Sequence, residues 1–205
     1  MATLSKNLKI DIAIDLNGYT KNSRVDIFSE RFCPLQVSFL GYPGTSGIQN
    51  IDYLIADKNL IPEKNKQYYT EKIIYLPNSY QPSESTRVVV DKKLTRNDFN
   101  LKDDQFIFCC FNTAHKINPK IFDSWANILK AVSNSVLWLL ENNNISQKNL
   151  KKEAIIRKVD PERIIFCKRT SSKEHIKRYQ LADLYLDTFP YGAHTTANEA
   201  LFSGL

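Results

Sequence analysis

The apolar positions of the first half recur at period two in short blocks. In KIDIAIDLNGYT, Ile10, Ile12, Ile14 and Leu16 alternate with polar or small residues until Asn17-Gly18 breaks the run, which predicts a strand entering a loop. In NSRVDIFSERFCP, Ser23 stands three residues before Asp26. Val25, Ile27, Phe28 and Phe32 follow at helical spacing and Pro34 ends the run, predicting a helix. VSFLGYPGTSG predicts a second strand closed by a glycine-rich loop, and YLIAD and KIIYLP two further buried strands. The stretch QPSESTRVVVDKKLTRNDFNLKDD then loses the core pattern. We assign residues 86–104 to a linker between a first domain, 1–85, and a second, 105–205.

The second half is more regular. QFIFCCF, SVLWLLE, RIIFCKR and DLYLDT are apolar strand candidates separated by helix-like segments. Ile121, Phe122, Trp125, Ile128, Leu129 and Val132 repeat at helical spacing behind Pro119, a residue suited to a first helical turn. Ser171 with Glu174, and Thr196 with Glu199, have the spacing of capping boxes. Strand and helix in alternation mean a parallel, doubly wound α/β sheet, and ligands of such sheets sit beyond the carboxyl ends of the strands.

Composition narrows the class without changing this picture. The 205 residues are 42% hydrophobic and 24% charged, ordinary for a globular protein. No run of about 18 apolar residues predicts a membrane span, the first residues lack a signal-peptide pattern, and a cytoplasmic location is expected. Cys33, Cys109, Cys110 and Cys167 have no metal-ligand spacing, and neighbours in a strand point to opposite faces. They are expected to be buried thiols, with no metal. The net charge of +6 concentrates in residues 148–178, where eleven Lys and Arg face four acids. That segment is either a solvated helix face or an attractor of polyanions.

The loops after the strands carry the candidate chemistry. FNTAHKINP places His115 and Lys116 just before a helix, where a lysine can meet a phosphate, although no GxxxxGK[ST] pattern supports a P-loop. His175 lies in the first turn of its helix, with Arg178 three residues on along the same face. His194, Thr195 and Thr196 open the last helix, whose N-terminus favours an anion, and Gly192 permits a tight turn before it. LGYPGTSG has the shape for close backbone approach to a ligand but matches no dinucleotide fingerprint.

Together IDLNGYT, LGYPGTSG, DYLIAD, FCCFNTAHKI, RIIFCKR, HIKRYQLADLYLDT and PYGAHTTANEAL resemble the catalytic region of the protein O-GlcNAc transferases, in their bacterial SPINDLY-like form. The resemblance covers nearly the whole chain. It implies a GT-B fold of two Rossmann-like lobes, both incomplete: part of an acceptor-side lobe, then part of a UDP-sugar-binding lobe. It also implies inverting, metal-independent transfer of a sugar, expected to be N-acetylglucosamine from UDP-GlcNAc, to Ser or Thr hydroxyls of acceptor proteins, with no cofactor.

Carried over residue by residue, Lys116 resembles the family lysine that neutralises the departing diphosphate. His175 and Arg178 match nucleotide contacts, and His194, Thr195 and Thr196 match the diphosphate-holding triplet. Glu199 stands where the family has an Asp for the ribose, Thr113 where it often has Gln or Asn, and Ser172 where some members carry a lysine. The family's upstream histidine-bearing segment and its TPR array have no counterpart here, and the family continues beyond the position of Leu205. The expectation is a fragment inactive alone whose parent carries TPR repeats. The rival expectations are a non-catalytic nucleotide-binding or interaction module, and a polyanion-binding protein, against which the lack of a nucleic-acid motif argues.

Overall fold

The computed structural model describes residues 2–84 and 93–205. The chain divides into two compact units, Met1–Pro82 and Ser83–Leu205. Residues 86–92 of the predicted linker lie outside the described residues.

The first unit opens with a short helix, α1 (Ala2–Asn7), and continues with four strands, β1 (Ile12–Asp15), β2 (Leu35–Phe39), β3 (Tyr53–Ala56) and β4 (Lys72–Tyr75). They form one parallel sheet in the order β1-β2-β3-β4. All four predicted strands are present. The alternating row on β1 nevertheless faces away from the core, since Ile10, Ile12, Ile14 and Leu16 are all exposed. Ala13 packs instead against the cluster of Val25, Phe28, Phe32, Cys33 and Ile51, and Asp15 is buried.

The helix predicted after β1 is only a 3₁₀ turn, Val25–Ser29. The amide of Phe32 and the carbonyl of Phe28 are the pair an α-helix would join, but the fully buried Gln36 stands between them. Its Oε1 accepts from Phe32 N (3.3 Å) and its Nε2 donates to Phe28 O (3.1 Å) and Asn50 O (2.7 Å). A side chain from β2 thereby replaces the helical ladder with a tertiary one.

The glycine-rich loop after β2 is filled by the protein itself. A Cβ on Gly41 would lie 2.2 Å from Leu16 O, and one on Gly18 (φ +54°) 2.3 Å from Tyr42 Cβ, so these glycines let the loops after β1 and β2 interlock. The hydroxyls of Thr45 (2.7 Å) and Ser46 (2.5 Å) and the amide of Ser46 (2.7 Å) all donate to the buried Glu71 carboxylate.

The second unit carries β5 (Phe106–Cys110), α2 (Pro119–Ala131), β6 (Ser135–Leu140), α3 (Asn144–Ile156), β7 (Ile164–Cys167), α4 (Ser172–Tyr179), β8 (Leu184–Tyr185) and α5 (Thr195–Phe202). The strands pair in parallel in the order β7-β6-β5-β8. Successive residues of β5 feed opposite cores. Ile107 and Cys109 join Trp138, Tyr179 of α4 and Ala200 of α5, whereas Phe108 and Cys110 join Phe122, Trp125 and Leu129 of α2 and Ala154 of α3. Helices on both faces make the sheet doubly wound, as the alternation predicts.

Part of the predicted linker belongs to this core. Thr95 and Asp98 form a capping box over a 3₁₀ turn, Arg96–Phe99, and Leu101 is 1% exposed among the core residues. Arg96 donates to Leu181 O (3.1 Å), Asp103 O (3.0 Å), Gln105 O (2.9 Å) and Asp183 (3.0 Å). In the described part of the stretch Leu94, Phe99 and Leu101 stand among polar residues without a clear period, so polarity alone marks it as a linker.

The basic segment is partly used for packing. Arg157 pairs with Asp123 (2.6 Å) and Glu153, Lys151 with Glu162 (2.8 Å), and Arg163 donates to the carbonyls of Leu129, Val132 and Ser135 at 2.7 Å. Lys148, Lys152, Lys158, Lys168, Arg169 and Lys173 are exposed.

Glu71 supplies a test. Burial pushes its carboxyl up, but the bonds from Ser46 and Thr45 outweigh this and hold it below the ordinary value of 4.5. The resulting stabilisation is present above the unfolded pKa and is lost as pH falls through the folded one. Glu71→Gln is expected to lower the stability of the first unit by about 1–3 kcal/mol at pH 7. In urea melts at a series of pH values, the difference from wild type should narrow on acidification. An unchanged midpoint at pH 7 would remove the carboxylate from this role.

Candidate functional site

In the second unit, β5 and β8 are neighbours although β6 and β7 intervene in sequence, so the direction of strand addition reverses between them. The register pairs Phe108 with Leu184 and Cys109 with Tyr185. The loops leaving the carboxyl ends of these two strands stand at the reversal point, the place where doubly wound sheets bind ligands.

The loop after β5 carries Thr113, then His115 and Lys116 in a 3₁₀ turn, Ala114–Lys116, before Asn118 caps α2 by accepting from Ile121 N at 3.0 Å. The loop after β8 carries Asp187 to His194. Lys116 bridges the two: its Nζ donates to Gly192 O at 2.9 Å and lies 4.0 Å from the centroid of the Tyr191 ring. Burial lowers the lysine pKa, with Asp187 pulling the other way. The His194 imidazole is held below its ordinary value of 6.5, first by burial and then by the charge of Lys116. A histidine so placed is neutral at pH 7 and offers one N–H donor.

α5 begins two residues earlier than the predicted capping box requires. Its N-cap is His194, with Thr195 and Thr196 already helical. The Thr196 hydroxyl, expected to cap, donates to Asn112 Oδ1 at 2.6 Å, and the Thr196 carbonyl accepts from Tyr179 OH at 3.0 Å. Asn112 outcompetes the first-turn amides because it is buried beneath the hydroxyl and needs a donor. Thr195 is exposed at the first helical position, where the N–H groups of an opening turn favour an anion.

Glu199, the other half of the predicted box, lies 3.4 Å from His175 Nε2. The His175 ring packs against Phe111 and Tyr179, with centroids at 5.4 and 5.0 Å. Ser171 caps α4 as predicted, accepting from Glu174 N, while the Glu174 carboxylate receives the Thr170 hydroxyl.

Arg178 is not on a surface face. It is 1% exposed, stacks 4.4 Å from the Phe111 centroid and donates to Lys168 O at 2.8 Å, while its Nε has no acceptor. Burial lowers its pKa, yet a guanidinium stays protonated. Helical spacing puts His175 and Arg178 on one face but does not say which way the face looks.

Three residues escaped the sequence reading. Asn112 (3% exposed) and Thr188 (3% exposed) are buried polar groups, and Asp187 accepts from Asn112 Nδ2 (3.1 Å), Thr188 N (2.7 Å) and Ala193 N (2.8 Å). The available signal was position: Asn112 and Asp187 each follow a β-strand at its carboxyl end.

The cysteines are all buried and free. Burial pushes Cys110 up to about 12 and Cys167 up to about 11, far from thiolate chemistry at neutral pH. Among the described residues no group of three or more His, Cys, Asp or Glu is placed to hold a metal ion, and no helix is long and apolar enough to cross a membrane.

The model of glycosyl transferase family 41 matches residues 2–89 and 82–205. The chain is 41% identical over 202 residues to a probable UDP-N-acetylglucosamine–peptide N-acetylglucosaminyltransferase, SEC, of Arabidopsis thaliana, covering 96% of this chain and 21% of that protein. It is 34% identical over 213 residues to the SPINDLY protein of Oryza sativa subsp. japonica, which carries the same enzyme description, covering 100% and 22%. An O-GlcNAc transferase of Thermobaculum terrenum superposes with a TM-score of 0.86 at 28% identity, over 100% of this chain and 38% of that one. The chain thus spans about a fifth of the length of these curated relatives.

The coupling of Lys116 to His194 is testable. Lys116→Met should raise the His194 pKa by removing a neighbouring positive charge, yet leave it below 6.5 because burial is the larger cause. Histidine ring resonances followed through a pH titration measure this. A fall or no change would show that the two groups do not share a field.

Proposed function

The chain belongs to glycosyl transferase family 41, and from that premise we propose that its second unit holds the diphosphate and nucleoside of a UDP-sugar. The parent activity is transfer of N-acetylglucosamine from UDP-GlcNAc to Ser or Thr hydroxyls of acceptor proteins. The observation that carries the reading is the meeting of Lys116 with the Gly192–Thr195 segment that opens α5, at the reversal point between β5 and β8.

The chemistry follows from charge. The acceptor hydroxyl oxygen forms a bond to the anomeric carbon as the bond from that carbon to the UDP oxygen breaks. The electron pair remains on the diphosphate and the hydroxyl proton leaves to a base. A preorganised cation beside the diphosphate stabilises the charge as it develops. The half-buried Lys116 is held by a neutral carbonyl and a ring face, with the Asp187 carboxylate acting on it at longer range. A phosphate oxygen in place of Gly192 O gives the charged lysine an acceptor of opposite charge where it now has a neutral one. It also favours the charged lysine that burial disfavours.

The other assignments are sharpened by what each group already contacts. Thr195 offers a hydroxyl and an amide, whereas the Thr196 hydroxyl is engaged by Asn112 and contributes through its backbone N–H. Glu199 reaches a ribose hydroxyl only while sharing its carboxylate with His175. Arg178, stacked under Phe111, supports the floor on which a nucleoside lies, and Thr113 stands at the mouth of the β5 loop. A cytoplasmic location and a TPR-bearing parent belong to the same reading.

Calorimetric titration of the chain with UDP and with uridine tests it. Lys116→Ala is expected to weaken UDP by about tenfold to a hundredfold, the range for losing a hydrogen bond to a charged group, and to leave uridine nearly unchanged. Equal losses for both ligands would remove Lys116 from the phosphates, and no binding of UDP by wild type would overturn the nucleotide site.

A further inference from the structure

We propose that Asn112 is the positioning residue of this site, a buried amide that fixes the β8 loop and the start of α5 against the β5 loop and so sets where Lys116 and the α5 amides stand. The proposal rests on the reading of the site as a diphosphate site, and it assigns a role to a residue that, at 3% exposure, is too buried to be a ligand contact itself.

Both ends of the amide are used, and on different partners. Nδ2 donates to Asp187 Oδ1 (3.1 Å) and Thr188 Oγ1 (2.9 Å), and Oδ1 accepts from Thr196 Oγ1 (2.6 Å). The orientation is forced, because a carboxylate can only accept and the Thr196 hydroxyl is donating. From these anchors the loop is closed in steps. Asp187 Oδ1 receives the Ala193 amide at 2.8 Å, and the Thr188 hydroxyl donates to Tyr191 O at 2.7 Å. Gly192 lies between these two points, its carbonyl on Lys116 Nζ. A Cβ there would come 3.1 Å from Asp187 Oδ2, so the loop lies close against the carboxylate. One amide therefore controls both the carbonyl that holds the lysine and the second residue of the anion-facing helix.

This makes a distinction between Asn and its isostere. Asn112→Asp keeps the shape and the bond from Thr196 but sets a carboxylate against Asp187, where like charges repel. Asn112→Ser is the uncharged comparison, too short to span to Asp187 and Thr196 together.

The experiment compares wild type, Asn112→Asp and Asn112→Ser by calorimetry with UDP and uridine, and by amide hydrogen exchange at Ala193. Asn112→Asp is expected to weaken UDP by about tenfold or more while uridine changes by less than about twofold, and to speed Ala193 exchange. Asn112→Ser should change both readouts in the same direction. Unchanged UDP affinity and exchange in either variant would overturn the proposal, as would equal loss of UDP and uridine. Should Asn112→Asp not fold, Asn112→Ser is read by the same criteria. If wild type binds no UDP, the diphosphate reading fails, and Ala193 exchange across the three proteins still decides whether Asn112 holds the loop.

Discussion

The second unit depends on the side-by-side pairing of β5 and β8, two strands separated by more than seventy residues of sequence. Only two residues of each meet in register, so backbone hydrogen bonds alone bind β8 weakly to the sheet. Polar groups complete the junction at both ends. Below, the Asp183 carboxylate takes the Ile107 amide at 2.7 Å and Arg96 from the preceding turn. Above, the Asn112 amide takes Asp187, Thr188 and Thr196. Each bond has a buried or half-buried member, and breaking one strands its partner at a cost larger than the bond itself contributes.

Basic side chains gather near this junction. Arg178 is fully buried and Lys116 and the neutral His194 are partly so, and burial is the leading influence on each. A protein stabilised only for folding would pair such charges with carboxylates or replace them with apolar groups. Here the lysine is given a carbonyl and a ring, and the arginine a carbonyl and a phenyl face. Those partners hold geometry, with Asp187 and Glu199 acting on the two charges at longer range, and the arrangement is the one the proposed diphosphate site would use.

The first unit shows the opposite use of polar burial. Glu71, Asp15 and Asp57 each gather two or more backbone or hydroxyl donors from loops that follow strands, and Gln36 joins one amide to two carbonyls. The Thr45 and Ser46 hydroxyls, which in sequence suggest a ligand-binding loop, are committed to Glu71. A glycine-rich stretch between strands signals that something approaches the backbone closely, and here the something is the neighbouring loop and Tyr42.

Sequence by itself determined the eight strands, the parallel, doubly wound arrangement of the second unit, and the loops that carry Lys116 and the His194–Thr196 segment, because apolar periodicity marks where each element runs; on β1 it did not say which side faces the core, since Ile10, Ile12, Ile14 and Leu16 are exposed. The opposite faces of Cys109 and Cys110 follow from the same rule and hold in the structure. What only the tertiary structure decided is which partner wins when a polar group has several. Thr196 could cap α5 or bond Asn112; Phe28 and Phe32 could close a helical turn or bond Gln36; Arg178 could face water or lie under Phe111. In each case the local option is worth about one hydrogen bond, and the competing option comes from a buried group, distant in sequence, that has no other way to be satisfied. Spacing along the chain does not encode that competition, so the places where the local rules failed are the places where elements remote in sequence meet.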